Sequence, residues 1–161
     1  MSTTAPSLVL AGVAVGDALP ALEHDVSATT VVLGALATRD WRPMHHDKDF
    51  ALNRNGTRDI FLNTPNEAAW FERYLTDWAG PKARLGRLAF RMKGSVFPGD
   101  RMRLEGVVVD VQTDEAGCGW VDVDVALTVG GDLKTACRAR IAVPVDDTDN
   151  PWRRRGADWK P

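Results

Sequence analysis

The strongest structural signal in this sequence is one helix with a bulky apolar side, predicted from Thr64 to about residue 79. Thr64 can cap its start, Pro65 suits the first helical position, and Glu67 completes a capping box. Gly80-Pro81 ends the pattern. The residues that recur at helical spacing are Ala68, Phe71, Leu75 and Trp78, with Tyr74 beside them. So much apolar surface on one helix has to be enclosed by other structure.

Downstream of Gly80 the sequence changes to four segments that are typical of β-strands. They are rich in β-branched residues or alternate between apolar and polar, and they cover 87–96, 101–111, 119–129 and 133–143. The turn signals between them are Pro98-Gly99-Asp100, Asp114-Glu115-Ala116-Gly117 and Gly130-Gly131-Asp132. This order predicts an antiparallel meander.

Two shorter segments precede the long helix. Residues 23–28 are weakly extended, whereas 29–38 are mostly apolar and fit either a short helix or a buried strand. We favour a helix, because it leads into a loop around Asp40. The predicted fold class is therefore α+β: a single hotdog fold, with an antiparallel sheet wrapped around a central helix. Such a sheet leaves its open side and an edge strand exposed, so we expect the domain to associate side by side with another.

Composition and charge exclude several functions. A chain of 161 residues fits one domain, and a net charge of -2 gives no basic field that would attract nucleic acid. No apolar run is long enough to cross a membrane, and no basic residues precede the apolar N-terminal stretch as in a signal peptide. We therefore expect a cytoplasmic protein. Cys118 and Cys137 are expected to be free, buried thiols.

The segment Arg39-Asp40-Trp41-Arg42-Pro43-Met44-His45-His46-Asp47 carries the residues best suited to chemistry. It places a carboxylate, Asp40, and an imidazole, His45, five positions apart on a chain that Pro43 bends. Acid–base chemistry on water needs two such groups held together. Taken singly, Asp40 also fits a carboxylate that caps a turn, and His45 an ordinary surface or core histidine. We expect no metal site here, because side chains of consecutive residues diverge and no further ligand cluster is in view.

The same segment resembles the Asp-x-Asn-Pro-Leu-His-x-Asp signature of the MaoC-like, (R)-specific enoyl-CoA hydratases. The likeness covers roughly residues 13–143, beginning with Val15-Gly16-Asp17-Ala18-Leu19-Pro20. More narrowly, several segments resemble the small catalytic subunit of actinobacterial steroid side-chain enoyl-CoA hydratases, which works beside a second hotdog subunit. These are Ala35-Leu36-Ala37-Thr38-Arg39-Asp40, His45-His46-Asp47, Asp59-Ile60-Phe61 and Tyr74-Leu75-Thr76-Asp77-Trp78-Ala79-Gly80-Pro81.

The resemblance implies that Asp40 and His45 activate one water. That water would add to C3 of a trans-2-enoyl-CoA, and the same pair would return a proton to C2. Backbone N–H groups at the helix start, around Asn63 and Thr64, would face the thioester oxygen. The chain departs from the family pattern at three positions: Arg39 stands where glycine is frequent, Arg42 replaces asparagine, and Asn63 replaces the glycine at the helix start.

Substrate contacts are predicted for Arg42, His46, Arg91 and Lys93, the last two with the phosphates of CoA. Basic residues on strands are, however, ordinarily solvated. CoA is part of the substrate here, and no separate cofactor is expected. The expected partners are an acyl-CoA and either a second hotdog subunit or another copy of the chain, with a bulky acyl group such as a steroid side chain.

The sequence also fits two other functions. One is a non-catalytic hotdog subunit that binds an acyl thioester or serves as a partner; the other is a thioesterase, for which Glu67 or Glu72 would supply a carboxylate on the helix. The predicted organisation is a leader over 1–12, a MaoC-like hotdog domain over 13–145 and a tail over 146–161. In the tail, Trp152 and Trp159 are expected either to meet a partner or to fold back over the domain.

Overall fold

The computed structural model describes residues 7–161, so residues 1–6 of the predicted leader lie outside the described part of the chain. The other leader residues contact the domain. The N–H of Leu8 donates to the Ala79 carbonyl and that of Leu10 to the Pro144 carbonyl. Both leucines pack against the core. Residues 8–10 are therefore attached to the folded domain.

Within residues 7–161, five strands and three α-helices form the domain. The strands are β1 (Leu22–Asp25), β2 (Arg84–Met92), β3 (Arg101–Thr113), β4 (Gly119–Val129) and β5 (Asp132–Val143). The helices are α1 (Ala28–Ala37), α2 (Lys48–Asn53) and α3 (Thr64–Ala79). All strand pairs are antiparallel, and the apolar side of α3 lies in the core against the sheet. This is the predicted α+β hotdog arrangement, and the helix favoured over 29–38 is confirmed as α1.

The four downstream strands do not form the simple meander that was predicted. The order across the sheet is β1-β3-β4-β5-β2, so β2 pairs with β5 at one edge and not with its sequence neighbour β3. The chain between β2 and β3 must pass three strand spacings, about 14 Å. Its eight residues can reach up to about 26 Å. A connection of this length is no tight hairpin, and β2 also begins and ends earlier than predicted.

That connection closes the end of the sheet where α3 begins. The carbonyl of Val96, which is fully buried, accepts a hydrogen bond from the Leu62 N–H just before α3. Farther along, the Gly99 N–H donates to the Val26 carbonyl beside β1. The crossing segment thus fixes the start of the central helix to the sheet.

The predicted capping box of α3 is wrong. The N-cap is Asn63, whose side-chain oxygen accepts from the Asn66 N–H at 3.3 Å. Glu67 is instead fully buried, and its Oε2 accepts from the Thr135 hydroxyl at 2.7 Å. The Thr64–Glu67 spacing fits a capping box locally, but one turn of α3 faces β5 here, so the carboxyl lies in the core.

A close helix contact positions α1 beside α3. A side-chain carbon on Gly34 would lie 1.9 Å from Nδ2 of Asn66, so only glycine fits where the two helices approach. Asn66 uses that same amide to donate to the Thr30 carbonyl. At its start α1 has a complete capping box between Ser27 and Thr30. The end of α1, and the loop that follows it, are therefore held near the N-terminus of α3.

The C-terminal segment folds back over the outer face of the sheet. The Trp159 ring stacks at 4.9 Å on Trp120, which is almost fully buried, and the Arg84 guanidinium lies 3.7 Å from the Trp159 ring centre. Trp152 donates through Nε1 to the Ala83 carbonyl. Of the two alternatives for these tryptophans, the structure shows contact with the domain itself. Cys118 beneath this segment and Cys137 in the main core are free and buried, as predicted.

Candidate active site

The loop after α1 turns sharply enough to bring two distant side chains together. Arg39 adopts a φ of 55°, the left-handed conformation that favours glycine, and no other non-glycine residue in the described range has a positive φ. Thr38 closes α1 through its hydroxyl, which donates to the Gly34 carbonyl at 2.8 Å. A 3-10 turn over Pro43–His45 follows. The side chains of Asp40 and His45 consequently face each other.

His45 is held in one orientation inside the protein. Its side chain is buried, and its Nδ1 lies 2.8 Å from the Phe61 carbonyl oxygen. A carbonyl oxygen only accepts, so Nδ1 carries the hydrogen of this bond. The Phe61 ring packs edge-on against the imidazole at 4.8 Å. The other nitrogen, Nε2, lies 3.7 Å from Oδ2 of Asp40. In the neutral ring Nε2 is therefore a hydrogen-bond acceptor that faces the carboxylate.

Asp40 is held by two further side chains. Arg42 donates from Nε to Oδ1 at 2.8 Å and from a terminal nitrogen to Oδ2 at 2.7 Å. Asn63 donates from Nδ2 to Oδ2 at 3.0 Å. The Arg42 guanidinium holds the pKa of Asp40 well below its usual range, against the opposing effect of desolvation, and the Asn63 bond adds to the lowering. Asp40 is thus an anion at neutral pH.

These contacts leave two acceptor atoms facing each other across a gap. An anionic carboxylate oxygen and an unprotonated imidazole nitrogen 3.7 Å apart cannot bond directly. A water fits this arrangement chemically, because it can donate one hydrogen to each acceptor and direct its lone pairs outward. The geometry therefore suits activation of a water molecule. A carboxylate that merely caps a turn would not explain it.

Asn63 is a site residue whose side-chain role was not predicted. Sequence reasoning assigned Asn63 and Thr64 through their backbone N–H groups. The structure adds an amide side chain that caps α3, bonds Asp40 and also donates to the Thr38 hydroxyl at 2.8 Å. Thr64 is the first residue of α3, so its N–H belongs to the first-turn donors that have no intrahelical acceptor. The Phe61 carbonyl is a further missed contact, since it is a backbone group.

The remaining predicted substrate residues lie apart from the pair. His46 follows the 3-10 turn directly and is exposed. Arg91 points to the outer face of the sheet, where it lines a groove of 770 Å³ together with Ala126 and Ala136. Lys93 is exposed just beyond β2, and no bond within residues 7–161 joins it or Arg91 to the Asp40 loop. Their contacts with substrate stay predictions.

Among residues 7–161, no three His, Cys, Asp or Glu side chains converge in a group that could hold a metal ion. No helix in the same range combines the length and the apolar character needed to cross a membrane.

Comparison with known proteins identifies relatives of this chain. The 3-oxo-4,17-pregnadiene-20-carboxyl-CoA hydratase beta subunit of Mycobacterium tuberculosis is 38% identical over 97 residues, which are 60% of this chain and 74% of that protein. The crystal structure of the ChsH1-ChsH2 complex from Mycobacterium tuberculosis contains a chain with a TM-score of 0.75 and 32% identity. That match covers 81% of this chain and 98% of the other.

A third similar structure supports the fold alone. The (R)-hydratase from A. caviae involved in PHA biosynthesis superposes with a TM-score of 0.73 at 22% identity, covering 82% of this chain and 98% of that one.

The family described as "MaoC like domain" matches residues 13–129, a range that contains the Asp40 loop, α3 and most of the sheet. The chain belongs to the MaoC-like domain family.

Proposed function

We propose that this chain hydrates a trans-2-enoyl-CoA thioester to a 3-hydroxyacyl-CoA. The observation that carries the proposal is the gap of 3.7 Å between Oδ2 of Asp40 and Nε2 of His45, with Nδ1 of the histidine bonded to the Phe61 carbonyl. Membership of the MaoC-like family supports a hydratase, and so does the name of the relative that is 38% identical.

In the proposed mechanism, the water between the pair donates one hydrogen to each residue. His45 removes a proton through Nε2 as the water oxygen bonds to C3 of the substrate. The electrons of the double bond move toward the thioester oxygen, and the imidazolium then gives its proton to C2. The product has a hydroxyl on C3 and a hydrogen on C2, which together are the atoms of one water. Asp40 orients the water and stabilises the transient imidazolium.

The thioester oxygen gains negative charge in this reaction. The first turn of α3 offers backbone N–H groups at Asn63 and Thr64, beside the Asp40 loop, and the helix dipole is positive there. We assign the stabilisation of the enolate to these donors. CoA is part of the substrate, and the mechanism uses no separate cofactor.

The acyl group and the partner are proposed from the relatives. The similar beta subunit is named for a steroid carboxyl-CoA, and the similar crystal structure is a complex of two different chains. We therefore propose a bulky acyl group of the steroid side-chain class and a second hotdog subunit that completes the active unit. The exposed edge strand β2 provides a place where such a subunit can pair.

Thioester hydrolysis is the weaker alternative. It would need a reactive carboxylate on α3, but Glu67 is fully buried beneath β5 and Glu72 is exposed farther along the helix. Within residues 7–161, neither glutamate is bonded to Asp40 or to His45. A purely structural hotdog subunit would have no use for two acceptors fixed in this way.

The test is an assay of the full chain, alone and with a candidate second hotdog subunit, on crotonyl-CoA and on a bulkier enoyl-CoA. Loss of the enoyl thioester absorbance without release of free CoA thiol supports hydration. Thiol release identifies a thioesterase. No reaction of either substrate under both conditions contradicts the proposal that the chain is catalytic.

A further inference from the structure

Arg42 makes a contact that water activation alone does not require. Its guanidinium spans the carboxylate of Asp40, with one nitrogen on each oxygen, and its backbone N–H also approaches Oδ1 at 3.3 Å. The Arg42 side chain is 62% exposed, whereas that of Asp40 is 8% exposed. A solvated cation thus covers the outer side of a nearly buried anion.

The contact with Arg42 determines the charge state of Asp40. A guanidinium stays protonated throughout the pH range in which proteins fold, so the positive charge beside Asp40 is permanent. A carboxylate that bonds a guanidinium through both oxygens is a weak base. His45 carries no such partner, since its Nδ1 bonds a neutral carbonyl. The two members of the pair are therefore unequal as proton acceptors.

Apart from Arg42, the groups that bond to the pair do not carry charge. Asn63, at the start of α3, donates from its side-chain amide both to Asp40 and to the hydroxyl of Thr38 at the end of α1. The segment before α3 contributes the Phe61 carbonyl, and its nearest acidic residue, Asp59, is bonded to Lys48. Within residues 7–161, Arg42 is the one cationic side chain that is bonded to Asp40.

We propose that Arg42 is a positioning residue that keeps Asp40 as a fixed anion, so that His45 alone carries the proton during hydration. This inference rests on the proposed function and deepens it by dividing the work of the pair. Asparagine, which stands at this place in the signature that the segment resembles, can orient a carboxylate but supplies no charge. At this position the chain replaces an orienting amide by a permanent cation.

The first test does not depend on enzymatic activity of the chain. The ¹³C shift of the Asp40 carboxyl is followed by NMR against pH in the parent chain, in Arg42→Gln and in Arg42→Lys. We expect the parent carboxyl to stay ionised to the lowest pH at which the chain is folded. In Arg42→Gln the Asp40 carboxyl should titrate at a pH higher by about one or more, because a neighbouring arginine commonly lowers the pKa of an aspartate by about one to three. An unchanged Asp40 titration in Arg42→Gln overturns the inference.

The second test is the pH dependence of kcat/KM on crotonyl-CoA. Loss of a positive charge beside the pair favours protonation of the pair as a whole, so the acid limb of the Arg42→Gln profile should move to higher pH. Arg42→Lys keeps a charge but not the two-pronged contact; its acid limb should stay near that of the parent while kcat falls. A merely structural role would lower the rate without moving the limb, and that result contradicts the inference.

A matched control removes an exposed arginine from another ion pair. Arg138 is 55% exposed and pairs with Asp124 on the outer face of the sheet. Arg138→Gln should leave both the Asp40 titration and the acid limb unchanged, and a shift equal to that of Arg42→Gln would count against a local effect. Absence of hydration by the parent would refute the proposed function, whereas the NMR titration would still decide whether Arg42 fixes the charge of Asp40.

Discussion

The side-chain amide of Asn63 donates to Oδ2 of Asp40 at 3.0 Å, while its carbonyl oxygen caps the first turn of α3. One residue therefore serves both the stability of the central helix and the orientation of the proposed catalytic carboxylate. These two roles can be separated by substitution, because serine is an equally good N-cap but has no amide that reaches Asp40.

We predict that Asn63→Ser and Asn63→Ala both lose hydration activity. The lost bond is charge-assisted and of the kind worth about 1.5–3 kcal/mol, so kcat/KM of each variant should fall roughly tenfold to a hundredfold. Because serine keeps a capping oxygen, Asn63→Ser should unfold in urea with a free energy about 1 kcal/mol higher than that of Asn63→Ala. Full activity of Asn63→Ser would show that the amide does not orient Asp40.

Glu67 makes stability depend on pH. Burial raises the pKa of Glu67 from its ordinary value of 4.5 to about 7, with the Thr135 hydroxyl opposing the change. The folded chain binds this proton more tightly than the unfolded chain does. The contribution is therefore fully present below about pH 4.5 and is lost as the pH rises through about 7, by up to about 3 kcal/mol.

Glu67→Gln should remove that dependence. Measured by urea unfolding, the variant should gain stability relative to the parent between pH 5 and pH 8, because the glutamine never ionises. Glu72→Gln, an exposed position on the same helix, is the control and should follow the parent at both pH values. A constant difference between Glu67→Gln and the parent across this range would mean that the pKa of Glu67 is not raised in the folded chain.

The contact between Trp159 and Trp120 should contribute measurable stability. Trp159→Ala removes a ring stacked at 4.9 Å on a buried tryptophan and leaves Arg84 without its aromatic partner at 3.7 Å. We expect a loss of about 1–3 kcal/mol in unfolding free energy. Trp152→Ala, whose side chain is more exposed, should cost less. Equal stability of Trp159→Ala and the parent would indicate that the C-terminal segment does not pack on the domain in solution.

Local signals predicted the elements well. The apolar spacing of α3 and the β-branched runs of the three central strands depend on each segment alone, and so does the turn chemistry between β4 and β5. The place of β2 could not be predicted in this way. Its pairing with β5 depends on the crossing connection between β2 and β3 and on packing in the core. Neither can be predicted from the residues of one short segment.

The site was predictable in part for the same reason. The resemblance to the hydratase signature, together with the five-residue spacing, indicated that Asp40 and His45 belong together, and the structure places them 3.7 Å apart. The Phe61 carbonyl that orients His45 is a backbone atom with no sequence signal. The predicted role of Glu67 was wrong because a capping-box pattern considers only neighbouring residues. The position of the Glu67 side chain is set by packing of α3 against β5, which places the carboxyl in the core.

The most direct measurement is kcat/KM for hydration of crotonyl-CoA by Asp40→Asn and by His45→Ala. Each change removes one of the two acceptors that would hold the water, so each should lower kcat/KM to less than about a tenth of the parent value, an effect above about 1.4 kcal/mol. His24→Gln, on β1 and away from the pair, should retain the parent rate. If either Asp40→Asn or His45→Ala keeps more than about a tenth of the activity while folded, water activation by this pair is contradicted.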